Sequence, residues 1–212
     1  MSTVLAFKNP KHASQRVING KVAPPRRMSN LQRRSREHLT PAEVERLITA
    51  ATKVGRHGLR DGVLILLAYR HGLRVGELVG LRWDQVDLQR GMLHVNRKKN
   101  GDAATHPLSG RELRTLRQLK RTYPESPFLF VTERGGPITE ATVRKLMARA
   151  GQEARIGLPV HPHMLRHATG FYLANSGVDT RTIQAYLGHR NIKHTVRYTQ
   201  LAPDRFRTLW RD

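Results

Sequence analysis

The run HPHMLRHATGFYLANSGVDTRTIQAYLGHRNIKHTVRYT, residues 161–199, carries three helices and most of the chain's reactive side chains. Pro162 suits a first helical position, and Gly177 closes the helix it opens, Pro162 to Asn175. Asp179 opens a second helix that ends at Leu187 before Gly188, and Asn191 caps a third that ends near Tyr198. On the first helix His163 and Arg166 stand three apart and share a face, while Leu165, Ala168 and Tyr172 form a second face that should pack inward. An arginine can bind two phosphate oxygens and a histidine can donate to a third. Alone, such a pair on a basic chain reads more readily as a solvated face. It gains meaning from His189 and from Tyr198 nine residues beyond.

A phenol has an ordinary pKa near ~10 and attacks at neutral pH only beside positive charge or a base. With Arg74 and Lys99 upstream, these residues form a set suited to metal-free transesterification at a phosphodiester. Tyr198 would be the nucleophile. Arg74 and Arg166 would neutralise charge on the pentavalent transition state, and His163 and His189 would hydrogen-bond the non-bridging oxygens. Lys99 would protonate the leaving 5′-oxygen. No cofactor and no metal is required by this scheme.

Composition points to a polyanionic partner. Among 212 residues, 38 Lys and Arg face 16 Asp and Glu, a net charge of +22 that predicts salt-sensitive binding to nucleic acid. Packing proteins share that bias, so charge alone does not imply an enzyme. The lack of cysteine excludes disulfides, thiolate metal sites and thiol catalysis, and it fits a reducing cytoplasm. No apolar run approaches the ~20 residues of a membrane span, and MSTVLAFKNPKHAS lacks the apolar stretch of a secretory signal.

Residues 1–38 read as a basic arm: the first 36 hold nine Lys or Arg, no Asp or Glu, and Pro10, Pro24 and Pro25. A solvated tail and an arm that folds on a partner fit it equally. The folded domain, 39–212, should begin at the capping box Thr40-Pro41-Ala42-Glu43, with Val44, Leu47 and Ile48 on the inner face of a helix to Lys53. A helix from Asp61 to His71, apolar nearly all round, should be central, and a short helix from Arg74 to Leu81 follows Gly72. Residues 91–108 predict two strands around Asn100-Gly101. A helix from Arg111 to Arg121 should bury Leu113, Leu116 and Leu119, and Phe128–Val131 reads as a short buried extended segment. Thr139 should cap a helix with Val143, Leu146, Met147 and Ala150 inside and Arg144, Lys145 and Arg149 outside. The fold class expected is mainly α with a small antiparallel sheet.

HGLRVGEL, KKNGDAATHPL, HPHMLRH and YLGHRNIKHTVRYT, in this order, resemble the tyrosine recombinase (phage integrase) family over about residues 39–200. The resemblance implies that family's catalytic-domain fold, with Arg74, Lys99, His163, Arg166 and His189 as the activating pocket and Tyr198 as nucleophile. It implies that Glu77 orients Arg74, and it leaves His167 as a buried or supporting hydrogen-bonding group. The small fimbrial phase-variation invertases are the most similar branch. They share THPL, HPHMLRH and the YLGHRNI-x-HTV-x-YT run, and they lack a separate core-binding domain, as this chain is expected to. The arm is therefore expected to supply part of the missing half of the DNA clamp. The implied partners are double-stranded DNA with paired recombination sites, a homotetramer in the synaptic complex and accessory DNA-bending proteins. The implied setting is the cytoplasm of a bacterium, at the nucleoid. Phe206, Leu209 and Trp210 could cover the local core or dock on a neighbouring protomer.

Several alternatives stay open. A one-residue slip in the hairpin would exchange Lys98 and Lys99, and the family's spacing to Pro107 favours Lys99. Arg190 is a further candidate for phosphate, and Arg144, Lys145 and Arg149 are candidate DNA contacts. The five histidines between His161 and His194 raise a metal site, but His163 and His167 enclose Met-Leu-Arg and not the glutamate of a zinc hydrolase helix. A non-catalytic DNA-binding regulator would need the charge but not the pocket. Inversion, integration with excision, multimer resolution and relaxation all use the same pocket, and inversion is the expected outcome.

Overall fold

The computed structural model describes residues 36–97 and 103–200, together with two short strands, β1 (Val17–Ile18) and β2 (Lys21–Val22), paired antiparallel. Lys98, Lys99, the Asn100-Gly101 turn and the tail carrying Phe206, Leu209 and Trp210 lie outside the described residues. Residues 1–35 form a unit separate from the body that starts at Arg36.

Within the body the order is α1 (Pro41–Lys53), α2 (Gly58–Arg70), α3 (Val75–Val79), a 3-10 turn (Trp83–Gln85), β3 (Val86–Asp87), β4 (Met92–Val95), β5 (Ala104–Pro107), α4 (Gly110–Thr122), α5 (Glu140–Glu153), α6 (Pro162–Asn175), α7 (Thr180–Leu187) and α8 (Lys193–Gln200). This is the helical body with a small antiparallel sheet that the sequence predicts. Among the described residues no helix is long and apolar enough to cross a membrane.

The capping box forms as read. Thr40 Oγ1 accepts from the Glu43 backbone N–H at 3.3 Å and Glu43 returns a carboxylate to the Thr40 N–H at 2.9 Å, an arrangement that stabilises a helix start by about 1 kcal/mol. The ordered body begins a few residues before it. Leu39 is buried, Arg36 pairs with Glu43, and Glu37 meets Arg197 of α8 at 2.9 Å. Central α2 is buried over Arg60–Ala68. It starts at Gly58, a turn earlier than its apolar run suggests, because Arg60 folds inward onto Asp61 at 2.8 Å and onto the Val131 carbonyl. Helices α1, α4 and α6 pack around it through Leu47, Leu116, Leu165 and their neighbours, and α5 packs against α1, with Met147 in the same core.

Strand order is β3-β4-β5, with Leu93 opposite His106 and Val95 opposite Ala104. Along β4 the side chains alternate, Leu93 and Val95 inward and Met92 and His94 outward. Helices α6, α7 and α8 enclose a second apolar cluster of Ala174, Ile183, Leu187 and Tyr198, with Phe171 against it. Of the inward face expected on α6, Leu165 and Ala168 are buried, but Tyr172 is 45% exposed. Its ring meets the edge of Tyr69 at the rim of the core, where a phenol keeps its polar end in water.

Candidate active site

The site is assembled where the α2–α3 turn meets the end of α7. Arg74 is the residue before α3, so its backbone N–H is unpaired by the helix and donates to Glu77 Oε2 at 2.9 Å. The Arg74 guanidinium also reaches Glu77, at 2.8 Å, and the Gly188 carbonyl, at 3.4 Å. Glu77 thus contacts both the backbone and the guanidinium of Arg74. Burial opposes the charge on Glu77, but the Arg74 N–H and the guanidinium groups of Arg74 and Arg97 outweigh it and hold the carboxyl below its ordinary range.

Arg166 is wholly buried on α6. It donates to the Gly72 carbonyl and, at 2.7 Å, to the Leu187 carbonyl. Burial, and then the charges of Arg74 and Arg97, pull its pKa down to about 9. His189 follows the left-handed Gly188, whose φ of 62° ends α7. Its Nδ1 lies 2.8 Å from Thr195 Oγ1, and with that hydroxyl donating, Nε2 carries the ring's proton. Burial, Arg166 and Arg74 lower His189 to about 3, so it is a neutral donor at physiological pH. His163 has an exposed ring edge and stacks edge-on with His167 at 4.4 Å between centroids. Desolvation by its neighbours, then Arg166 and Arg74, keeps it below the usual histidine range.

An open hollow of about 660 Å³ lies over Arg74 and His189, walled by Arg181, Arg190 and His194. A second, of about 620 Å³, adjoins it at His189 and Arg190 and runs toward Ala103 and Ala104 of the hairpin. Arg190 therefore lines both. Arg144, Lys145 and Arg149 are on the solvent face of α5 and line neither. Arg144 is paired with Glu140 at 2.6 Å.

Tyr198 is brought to the same region but is sheathed. Its side chain is 2% exposed, its hydroxyl is 2.9 Å from His167 Nδ1, and its ring stands edge-on to Phe171. A Cβ on Gly170 would fall 2.5–2.7 Å from three carbons of that ring, so α6 admits the phenol only because residue 170 has no side chain. Burial raises the Tyr198 pKa against the pull of Arg166, Arg197 and Arg74. His167 is itself lowered to about 3 by burial and then by His163. A ring that stays neutral to that pH is a weak base, so His167 holds the phenol and does not deprotonate it. In this arrangement Tyr198 is a protonated phenol that lines neither hollow.

The sequence reading passed over Arg97. It follows β4 with its side chain fully buried and pairs with Glu77 at 2.9 Å. The signal was present: Leu93, Val95 and Arg97 share the inward parity of the strand. Arg181 and Thr195 were also passed over, and His194 was weighed only as one of five histidines that could raise a metal site. Among the described residues no group of three or more His, Cys, Asp or Glu could hold a metal ion.

The depressed histidines give the fold an acid limit. His106 and His167 are buried and lowered to about 3, chiefly by desolvation, from an ordinary 6.5. The unfolded chain binds their protons below pH 6.5 and the folded chain does not, so stability is complete above 6.5 and is lost as pH falls toward 3. At pH 5 each ring forfeits about 2 kcal/mol, with a smaller share from half-buried His189. Calorimetry should find the melting temperature at pH 5 lower than at pH 7 by about 10 °C, and His106→Gln should shrink that gap. An unchanged melting temperature would contradict the burial of neutral rings.

The phage integrase family matches residues 37–205. The chain is 41% identical over 182 residues to the type 1 fimbriae regulatory protein FimB of Escherichia coli (strain K12), covering 84% of this chain and 90% of that one. It is 41% identical over 181 residues to FimE of the same strain, covering 82% and 91%. The crystal structure of XerA recombinase superposes with a TM-score of 0.70 at 28% identity, over 80% of this chain and 62% of that one. Motif order, fold and these likenesses lead to one assignment: the chain belongs to the phage integrase family, the tyrosine-type site-specific DNA recombinases.

Proposed function

We propose that the protein inverts a DNA segment by cutting and rejoining strands at paired sites through a 3′-phosphotyrosine link to Tyr198. The observation that carries this is a charge imbalance. Arg74, Arg97 and Arg166 lie around one carboxylate, Glu77, so this cluster alone holds an excess of two positive charges, to which Arg181 and Arg190 on the wall of the hollow add. Fold stability gives no reason to gather them, because burying guanidinium groups costs several kcal/mol each. A phosphodiester carries one negative charge and its pentavalent transition state two, so a net positive site favours the transition state.

In the reaction the Tyr198 oxygen bonds to phosphorus as the bond to the 5′-oxygen breaks. The phenol proton passes to solvent, and the leaving 5′-oxygen takes one from Lys99. Arg74 and Arg166 hold the non-bridging oxygens with His163 and His189, Lys99 gives the proton, and Arg190 steadies a neighbouring phosphate. Reversal with a new 5′-hydroxyl rejoins the strands without an external energy source. Inversion is favoured by the likeness to the fimbrial invertases, which extends along 90% of FimB and 91% of FimE. Four copies would act together on two duplexes in a bacterial cytoplasm, with DNA-bending proteins assisting, and the basic residues of the first 38 would grip the duplex.

The test is a covalent trap in the native host. Tagged protein is recovered under denaturing conditions and any attached DNA is sequenced. Covalent DNA whose two sites form inverted repeats is the expected result. Direct repeats would replace inversion by excision. DNA held only under native conditions would make the protein a non-catalytic regulator.

A further inference from the structure

Arg97 does not line the hollow, yet it touches α3, the α2–α3 turn and the end of α7. One nitrogen donates to Glu77 Oε2 at 2.9 Å. The other donates to the Tyr186 carbonyl and, at 3.4 Å, to that of His71. Its stem crosses Gly188 so closely that a Cβ there would lie 2.8 Å from Arg97 Cγ and 3.0 Å from Cδ and Nε. Gly188 thus turns the chain and clears a path for the arginine.

The last carbonyls of a helix have no partner within it and carry its negative end. At the end of α7 three successive carbonyls each take a different guanidinium. Tyr186 accepts from Arg97, Leu187 from Arg166 and Gly188 from Arg74. Glu77 likewise divides its two oxygens between guanidinium groups, Oε1 to that of Arg74 and Oε2 to that of Arg97, with Oε2 also accepting from the Arg74 backbone N–H. Arg97 is therefore linked to Arg74 through a shared carboxylate and to Arg166 through a shared helix end. Without it, Glu77 Oε2 loses its guanidinium partner, the carboxylate can turn fully onto Arg74, and the Tyr186 carbonyl is left open.

We propose that Arg97 is a positioning residue for DNA cleavage, holding Glu77 and the end of α7 so that Arg74 and Arg166 present their charge to the scissile phosphate. This rests on the reading of Arg74 and Arg166 as the groups that neutralise that phosphate. Arg97 itself touches no substrate.

The test compares full-length wild type, Arg97→Met, Arg97→Lys and Arg74→Ala on a host site carrying either the native scissile phosphate or a neutral methylphosphonate. Arg97→Met should cut the native phosphate about 100-fold more slowly than wild type. On the methylphosphonate, where there is no charge to neutralise, its deficit should shrink to about 5-fold or less, as should that of Arg74→Ala. Arg97→Lys should fall between wild type and Arg97→Met, and it carries the same comparison should Arg97→Met fail to fold. An equal deficit on both substrates, or none on either, would overturn the proposal, because packing alone does not distinguish the two phosphates. If Arg97→Met fails to recover while Arg74→Ala recovers, only the role of Arg97 falls. If Arg74→Ala also keeps its full deficit, the charge-neutralising reading fails and takes this proposal with it.

Discussion

Tyr198→Phe should leave a protein that binds its DNA sites within about 3-fold of the wild-type affinity and forms no covalent adduct, a loss of at least ~10⁴-fold in cleavage. The substitution removes one oxygen from a buried ring, and the phenylalanine keeps the contacts with Phe171 and Gly170. That oxygen is the nucleophile of the proposed reaction, and no neighbouring hydroxyl replaces it. Thr195 is turned to His189 at 2.8 Å, and Thr199 is bonded to Thr180 at 3.2 Å and to the Val196 carbonyl. The change also breaks the hydrogen bond to His167, leaving a buried nitrogen unpaired at a cost of about 1–2 kcal/mol. Denaturant melts, filter binding and adduct formation on denaturing gels measure these three effects separately. Retained adduct formation would move the nucleophile elsewhere, and an affinity loss as large as the activity loss would make Tyr198 a structural residue only.

What could be read before folding follows a physical line. Helix starts and stops were legible at Thr40, Thr139, Asp179 and Gly188, because caps act within one turn of chain. So were the inner faces of α1 and α5, where period and burial coincide. The pair Val86–Asp87 was not, since two residues cannot show alternation. The start of α2 was missed because buried Arg60 carries no apolar signal and its partner carbonyl, Val131, is 71 residues away. Arg97 was missed for the same reason. A charged side chain is expected outside, and only the opposing carboxylate and helix end, distant in sequence, make its burial tolerable. For Tyr198 the sequence supplied the residue but not its setting. Whether a phenol on α8 faces a phosphate site or packs between Phe171 and Gly170 depends on how three helices cross.

Arg166 should show a large separation between activity and stability. Its lowered pKa, about 9, means the folded protein disfavours its charge by on the order of 5 kcal/mol relative to water. Against this, it satisfies the Gly72 and Leu187 carbonyls, each worth about 1–3 kcal/mol if left unpaired. Arg166→Met fills similar space, gives up both bonds and removes the disfavoured charge, so the two effects nearly cancel. Stability should stay within about 2 kcal/mol while cleavage falls by at least ~10³-fold. Arg166→Lys then tests the cause. The burial and neighbouring charges that lower arginine to about 9 would lower a lysine ammonium, ordinarily near ~10.4, toward neutral pH as well. A lysine there loses its charge at a lower pH than the arginine does. The variant's cleavage should therefore decline as pH rises from about 7 to about 8, a range over which wild-type Arg166, at about 9, remains largely protonated. A pH profile for Arg166→Lys that stays parallel to wild type would mean that Arg166 acts through its two carbonyl contacts and not through its charge on the phosphate.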